Sequence, residues 1–283
     1  MFTNPFAGLT EIMPAITPGI MQAFVVLMAL LVVVGTILDT LHKKSAEWFY
    51  EYTDKMSERA TRPLGSNEKM NLAIQTVASE VLTSSEFHNP KRRIAHLLKM
   101  YGFVIFALSS AVLIFFYSGE KSAGFWAFLW RLGAIMLAVG SWWFFTKLRV
   151  NVQSEGDPWY TIDMPRDMFI VSLMGVSTFG LLWCISQNII GSAFLAGLFF
   201  VLFVLSAILL FGGVYWSKFA HMFFKPFAAY QKRVFMADGS REKLPPFYKR
   251  SEVLQESTMD LVRDIPANQK MGLCIRKDDP SHY

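Results

Sequence analysis

The chain has 283 residues, of which 53% are hydrophobic, 15% aromatic and only 17% charged. A soluble domain carries about a quarter charged residues, so an ordinary soluble fold is excluded. The net charge of +5 comes with no nucleic-acid motif and suits anionic lipid head groups or an acidic soluble partner.

Residues 1–19, MFTNPFAGLTEIMPAITPG, contain no lysine or arginine and lack the basic start of a secretory signal. They are expected to form an outer segment before a retained helix. The apolar residues gather in five blocks about twenty residues long, the length that crosses a hydrocarbon core. These are Ile20–Leu41, Ala95–Tyr117, Ala123–Phe145, Met168–Ser186 and Ser192–Trp216. Backbone groups in lipid must be satisfied within their own segment, so each block is predicted helical. The fold class is therefore all-α, a five-helix membrane protein.

Charge sets the orientation. Of the 27 Lys and Arg residues, ten lie between His42 and the first turns of span two, up to Lys99, three after span three and twelve after span five; Lys121 and Arg131 alone fall on the other side. The positive-inside rule then places the amino terminus outside and the carboxyl tail in the cytoplasm. Between spans one and two, residues 42–94 form a cytoplasmic amphipathic loop. In it, Trp48, Phe49, Tyr52 and Met56 recur at helical spacing. After a break at Arg62-Pro63-Leu64-Gly65, so do Met70, Ala73, Ile74, Val77 and Val81. Residues 95–224 hold spans two to five. The tail, 225–283, is rich in proline and charge and is expected to lie extended or to order on a partner.

Ionisable residues inside the spans are few. Asp39 lies near the inner end of span one, and Arg131, near the outer end of span three, is expected to reach back to the interface. No chain of buried acids or histidines crosses the bilayer and no internal repeat is evident, which argues against a pump, channel or transporter. The two cysteines, Cys184 in an apolar run and Cys274 in the tail, form no CxxC or Cys/His cluster, so no iron–sulfur or zinc site is encoded. No nucleophile–base arrangement or nucleotide fingerprint is present. The chain reads as non-catalytic by itself.

There are five histidines, all on the predicted cytoplasmic side. His96, in NPKRRIAHLLKMYGF (residues 89–103), opens span two; His221, in YWSKFAHMFFKPF, follows span five. At similar depth, they could hold one haem b as axial ligands, with Gly102 leaving room for the ring and Arg93 and Lys218 balancing propionates. Equally, both could be interfacial residues and the glycine a packing device.

The stretch containing Arg93, His96, Leu98 and Gly102-Phe103 resembles a segment of a known family. WSKFAHMFFKPFA (residues 216–228) is similar to the segment closing that family's last helix, and RDMFIVSLMGVSTFGLL (residues 166–182) to a helix between them. The family is that of five-helix membrane subunits related to the nitrate reductase gamma chain. It includes the membrane part of the quinone-interacting oxidoreductase of sulfur metabolism and the membrane anchors of adenylylsulfate reductase. The resemblance covers roughly residues 89–230, and the absence of a fused cysteine-rich domain points to the stand-alone anchors.

The resemblance implies a bacterial cytoplasmic-membrane anchor that docks a cytoplasmic oxidoreductase, adenylylsulfate reductase, and links it to quinone. It implies haem b held by His96 and His221. Phe106 and Phe203 stand where a second histidine pair would be needed, so at most one haem is expected. A haem-free structural anchor for the same partner, or a small transporter or channel, are the alternative expectations.

Overall fold

The computed structural model describes residues 3–85, 87, 89–150, 158–217, 219 and 221–240, without the side chains of Ser45, Trp48, Pro165, Arg166 and His221. Five of its helices are long and apolar enough to cross a membrane. A four-residue helix, α1 (Leu9–Ile12), precedes the first of these, α2 (Pro18–His42). α2 starts where Thr17 Oγ1 accepts from the Ile20 N–H at 3.4 Å and Pro18 takes the first position, a place where its missing N–H costs nothing. Beyond α2 the chain turns at Lys44, which has φ 50°, into α3 (Ser45–Ser57). After the Arg62–Gly65 break comes α4 (Ser66–Thr76), which continues as a π-helical turn through Leu82.

Helix α5 (Pro90–Phe115) is the second span and begins five residues before the sequence expectation. The reason is its cap: Asn89 Oδ1 accepts from Lys91 N at 2.9 Å and Arg92 N at 3.4 Å, with Pro90 leading the helix. The third span is α6 (Gly124–Trp143) with a π-helical end to Leu148, and the fourth is α7 (Met164–Ile185) with one to Ile190. Gly191, at φ 71°, ends that turn and Ser192 caps α8 (Ala193–Gly212). α8 stops four residues before Trp216. The chain turns on the Gly213 carbonyl, which accepts from Trp216 N and Ser217 N at 3.1 and 2.9 Å.

The described start of the tail departs from an extended course: His221–Ala237 form a helix, α9. Proline is dense in the tail as a whole, but this run of 17 residues has only Pro226. Packing against the loop between α2 and α5 makes the helix worthwhile. Residues 241–283, including His282 and Cys274, lie outside the described residues.

The spans pack in chain order from α5 to α8, and α2 completes the ring between α8 and α5. Small residues set the α5–α6 seam. A Cβ on Gly102 would stand 2.6 Å from Leu137 N and 3.0 Å from the Gly133 carbonyl oxygen; one on Gly133 would stand 3.0 Å from the Gly102 oxygen. In lipid, where apolar burial gives no drive, such close backbone approach holds helices together. Two indoles add interhelical hydrogen bonds: Trp130 Nε1 donates to Ser110 Oγ and Trp142 Nε1 to Thr178 Oγ1, both at 3.0 Å.

Aromatic rings fill the middle of the bundle. Trp130 and Trp183 are fully buried among Phe106, Phe200 and Phe203. Residues 3–16 fold over one end, where Phe6 meets Trp183 edge-on at 5.4 Å and Asn4 Nδ2 donates to the Tyr117 carbonyl. Arg131 reaches back towards this end, donating to the Ala127 carbonyl at 2.9 Å and to Thr3 Oγ1 at 3.5 Å. At the other end lie α3, α4, α9 and most of the cations, and this basic end carries the candidate site.

Candidate functional site at the basic end

Three short helices build a platform over the basic end. α9 packs against both α3 and α4. Phe235 meets Tyr52 at 5.5 Å, Arg233 donates to Ser79 Oγ at 2.6 Å and pairs with Glu80 at 3.0 Å, and Gln231 donates to Thr53 Oγ1. The Arg62–Gly65 break is tied to the end of α9: Thr61 N and Arg62 N donate to the Asp238 carbonyl at 2.9 and 3.2 Å, and Arg62 Nε to the Ala237 carbonyl at 2.8 Å. Gly239, at φ 75°, lets the chain turn there; a Cβ on it would run into Thr61 Oγ1. The loop and the described start of the tail are thus one unit.

His96 sits under this platform, half-buried on α5. Its ring lies 4.9 Å from that of Phe87, and Lys225 Nζ of α9 lies 5.2 Å from the same Phe87 ring. Seven residues further along α5, on the same helical face, Phe103 meets Phe211 of α8 at 6.2 Å and Phe219 at 6.3 Å. Through Phe87, the start of α9 and the start of α5 come close together. The His221 side chain and Lys218 lie outside the described residues, as does His88.

The remaining predicted residues have other partners. Arg93 Nε donates to the Thr83 carbonyl at 2.8 Å, fixing the turn between α4 and α5. The room expected at Gly102 is taken up by the backbone of α6, and a Cβ at Gly213 would meet Met168 Cε at 2.8 Å. Phe87 packs on His96, and deeper along α5 Phe103, Phe211 and Phe219 are in mutual contact. Among the described residues, no group of three or more His, Cys, Asp or Glu side chains could hold a metal ion.

Deeper in the bundle, an apolar cavity of about 190 Å³ lies between α2, α5 and α8. Phe24 and Met28 line it from α2, Phe103 and Phe106 from α5, and Phe203 and Phe211 from α8. Phe106 and Phe203, the positions singled out from the resemblance, face each other with ring centroids 6.3 Å apart. α2 leaves a long apolar edge towards lipid, including Val26, Leu30, Val33 and Ile37.

Two buried ionic features stand beside the site. Arg149, at the end of α6, pairs with Asp167 in the first turn of α7, and both side chains are almost wholly buried. Arg149 also donates to the Trp159 and Thr161 carbonyls at 2.7 and 2.6 Å, closing the loop between α6 and α7. Asp39, buried on α2, pairs with Lys43 one turn on. In sequence Arg149 was only one more loop cation; its hydrophobic flank, FFTKLRV, was the available hint.

Fold and site together define a class: an all-helical, five-span membrane protein with a helical platform at its basic end. Comparison with family models, with curated proteins and with solved structures finds no match.

Proposed function

We propose that the chain anchors a soluble oxidoreductase to the membrane and brings it within reach of quinone. The observation that carries this reading is the platform: residues from two distant parts of the chain, 45–82 and 221–240, are bound into one surface at the basic end. Aromatic and apolar side chains stand out from it, among them Tyr50, Phe227 and Met236, the residue types enriched at protein interfaces. The positive-inside rule puts this end in the cytoplasm. The resemblance of residues 89–103 and 216–228 to the membrane anchors of sulfur metabolism makes adenylylsulfate reductase the partner of choice, in a bacterial cytoplasmic membrane.

The apolar cavity between α2, α5 and α8 supports the quinone part of the reading. It suits an isoprenoid chain, and its upper wall, Phe103, lies two helical turns from His96. The aromatic middle of the bundle carries no ligand for a second redox centre, so electron exchange belongs at the basic end and not across the membrane. A liposome flotation assay tests the docking. Adenylylsulfate reductase should float with vesicles containing the chain and stay behind with empty vesicles; equal sedimentation in both would overturn the reading.

One observation favours a second reading, a single haem b held by His96 and His221. It is the convergence of α5 and α9 on Phe87. The close approach of α6 at Gly102, which takes up the room expected there, speaks against it. A dithionite-reduced minus oxidised spectrum of the purified chain separates the two: a b-type band lost in both His96→Ala and His221→Ala establishes the haem, and no band leaves the haem-free anchor.

A further inference from the structure

Helix α4 with its π-helical extension has an apolar stripe that no part of the described chain covers. Met70, Ile74 and Val77 follow helical spacing and are 62%, 59% and 49% exposed. The opposite flank is spoken for: Thr76 is buried, and Ser79 and Glu80 hold Arg233 of α9. On the third flank stand the exposed polar residues Asn67, Asn71 and Gln75. The helix thus has one protein face, one polar face and one bare apolar face.

Where the stripe ends says what covers it. Tyr101 Oη donates to the Leu82 carbonyl at 2.7 Å, and Arg93 Nε to that of Thr83 at 2.8 Å. Tyr101 belongs to the outward face of α5, together with exposed Ile94, Val104 and Leu108, and that face of a spanning helix meets lipid. Helical side chains lean towards the amino-terminal end, so the Tyr101 hydroxyl reaches Leu82 a turn or so below Arg93. The stripe on α4 therefore runs into the lipid-facing surface of α5 as one continuous apolar strip. Cations stand beside it at the interface, with Lys69 on α4 and Lys91 at the start of α5, both exposed. An apolar face flanked by cations and a polar back is the pattern of a helix lying in the membrane surface and attracted by anionic head groups.

We propose that residues 66–82 form an in-plane membrane helix on the leaflet at the basic end, with Met70, Ile74 and Val77 immersed at the boundary of head groups and acyl chains. The platform then has a lipid side as well as a partner side, and the first holds the second at a fixed height. This inference does not depend on the identity of the soluble partner.

The test uses the full chain with Cys184→Ala and Cys274→Ser, reconstituted in vesicles of phosphatidylcholine and phosphatidylglycerol. Single nitroxide labels are placed through Met70→Cys, Ile74→Cys, Asn71→Cys or Gln75→Cys. Collisions with oxygen, which concentrates in lipid, are compared with collisions with a nickel chelate confined to water. The labels at 70 and 74 should favour oxygen several-fold over nickel, and those at 71 and 75 should show the reverse. All four sites are exposed, so the labels replace no packing; two positions per face keep the result readable if one variant misfolds. Free access of nickel to 70 and 74 would overturn the proposal, placing the helix in water. Shielding of 70 and 74 from both reagents would overturn it too, showing that protein, a second copy of the chain, covers the stripe.

Discussion

Gly102 of α5 and Gly133 of α6 meet backbone to backbone, each so placed that a Cβ would come within 3.0 Å of the other's carbonyl oxygen. An exposed helical glycine changed to alanine gains about 1 kcal/mol of helix propensity. Here the sign reverses. Gly102→Ala should cost about 1–3 kcal/mol through overpacking, because the atom it meets at 2.6 Å is the rigid backbone nitrogen of Leu137. Thermal unfolding in detergent, followed by circular dichroism, should show a lower midpoint for Gly102→Ala. Gly65→Ala, with nothing near its Cβ, should show little change.

The Arg149–Asp167 pair is buried on both sides. Removing one partner from such a pair typically costs about 3–5 kcal/mol, while replacing both by apolar groups costs far less. Asp167→Leu alone should therefore destabilise strongly, and Arg149→Met with Asp167→Leu should recover much of the loss. The residual cost of the double variant includes the two carbonyl contacts of Arg149 with Trp159 and Thr161, its stacking on Phe145, and the hydrogen bond from Asp163 N to Asp167. Unfolding midpoints of the four chains complete the cycle.

At the platform, the exposed Lys55–Glu51 pair of α3 contributes little on its own, about 0.2–1 kcal/mol as for other solvent-exposed pairs. Gly239 matters more, since a side chain there strains the φ 75° turn and pushes on Thr61. Gly239→Val should free α9 from the Arg62–Gly65 break and expose the 58–65 segment to protease, whereas Lys55→Ala should leave the digestion pattern nearly unchanged. If the platform is the docking surface, flotation of the soluble partner falls with Gly239→Val.

His96 carries a prediction of its own. Its ring packs on Phe87, which also receives Lys225 of α9. His96→Ala should loosen the contact between α5 and α9, seen as faster hydrogen exchange in the first turns of α9. His96→Phe should keep that contact and restore protection. A change in quinone-linked turnover that His96→Phe fails to rescue would point to imidazole chemistry and not to packing.

The spans were legible because twenty-residue apolar blocks have one physical solution in lipid, and only their ends moved. Asn89-Pro90 drew α5 outward through capping, a local signal available in the sequence. The turn on the Gly213 carbonyl shortened α8, and apolar Tyr215 and Trp216 masked it. The platform was half legible: helical spacing gave the stripe at Met70, Ile74 and Val77, but not that α9 would cover the opposite flank. That depends on the meeting of Arg62 with Ala237 and of Arg233 with Glu80, residues more than 150 positions apart. Gly102 shows the limit of reading small residues singly, since room for a ligand and room for a helix look alike until the neighbour is placed. Arg149 and Asp167 were hidden because charge pairing across a loop leaves no periodic trace.

Quinone reduction in proteoliposomes bears most directly on the proposed role. Vesicles containing the chain and a water-insoluble quinone are mixed with adenylylsulfate reductase, sulfite and AMP, whose conversion to adenylylsulfate releases two electrons. Formation of quinol that requires the chain, and that falls with Gly239→Val, is the predicted result. Quinol formed equally with empty vesicles, or none formed while the reductase remains bound and active, would contradict it.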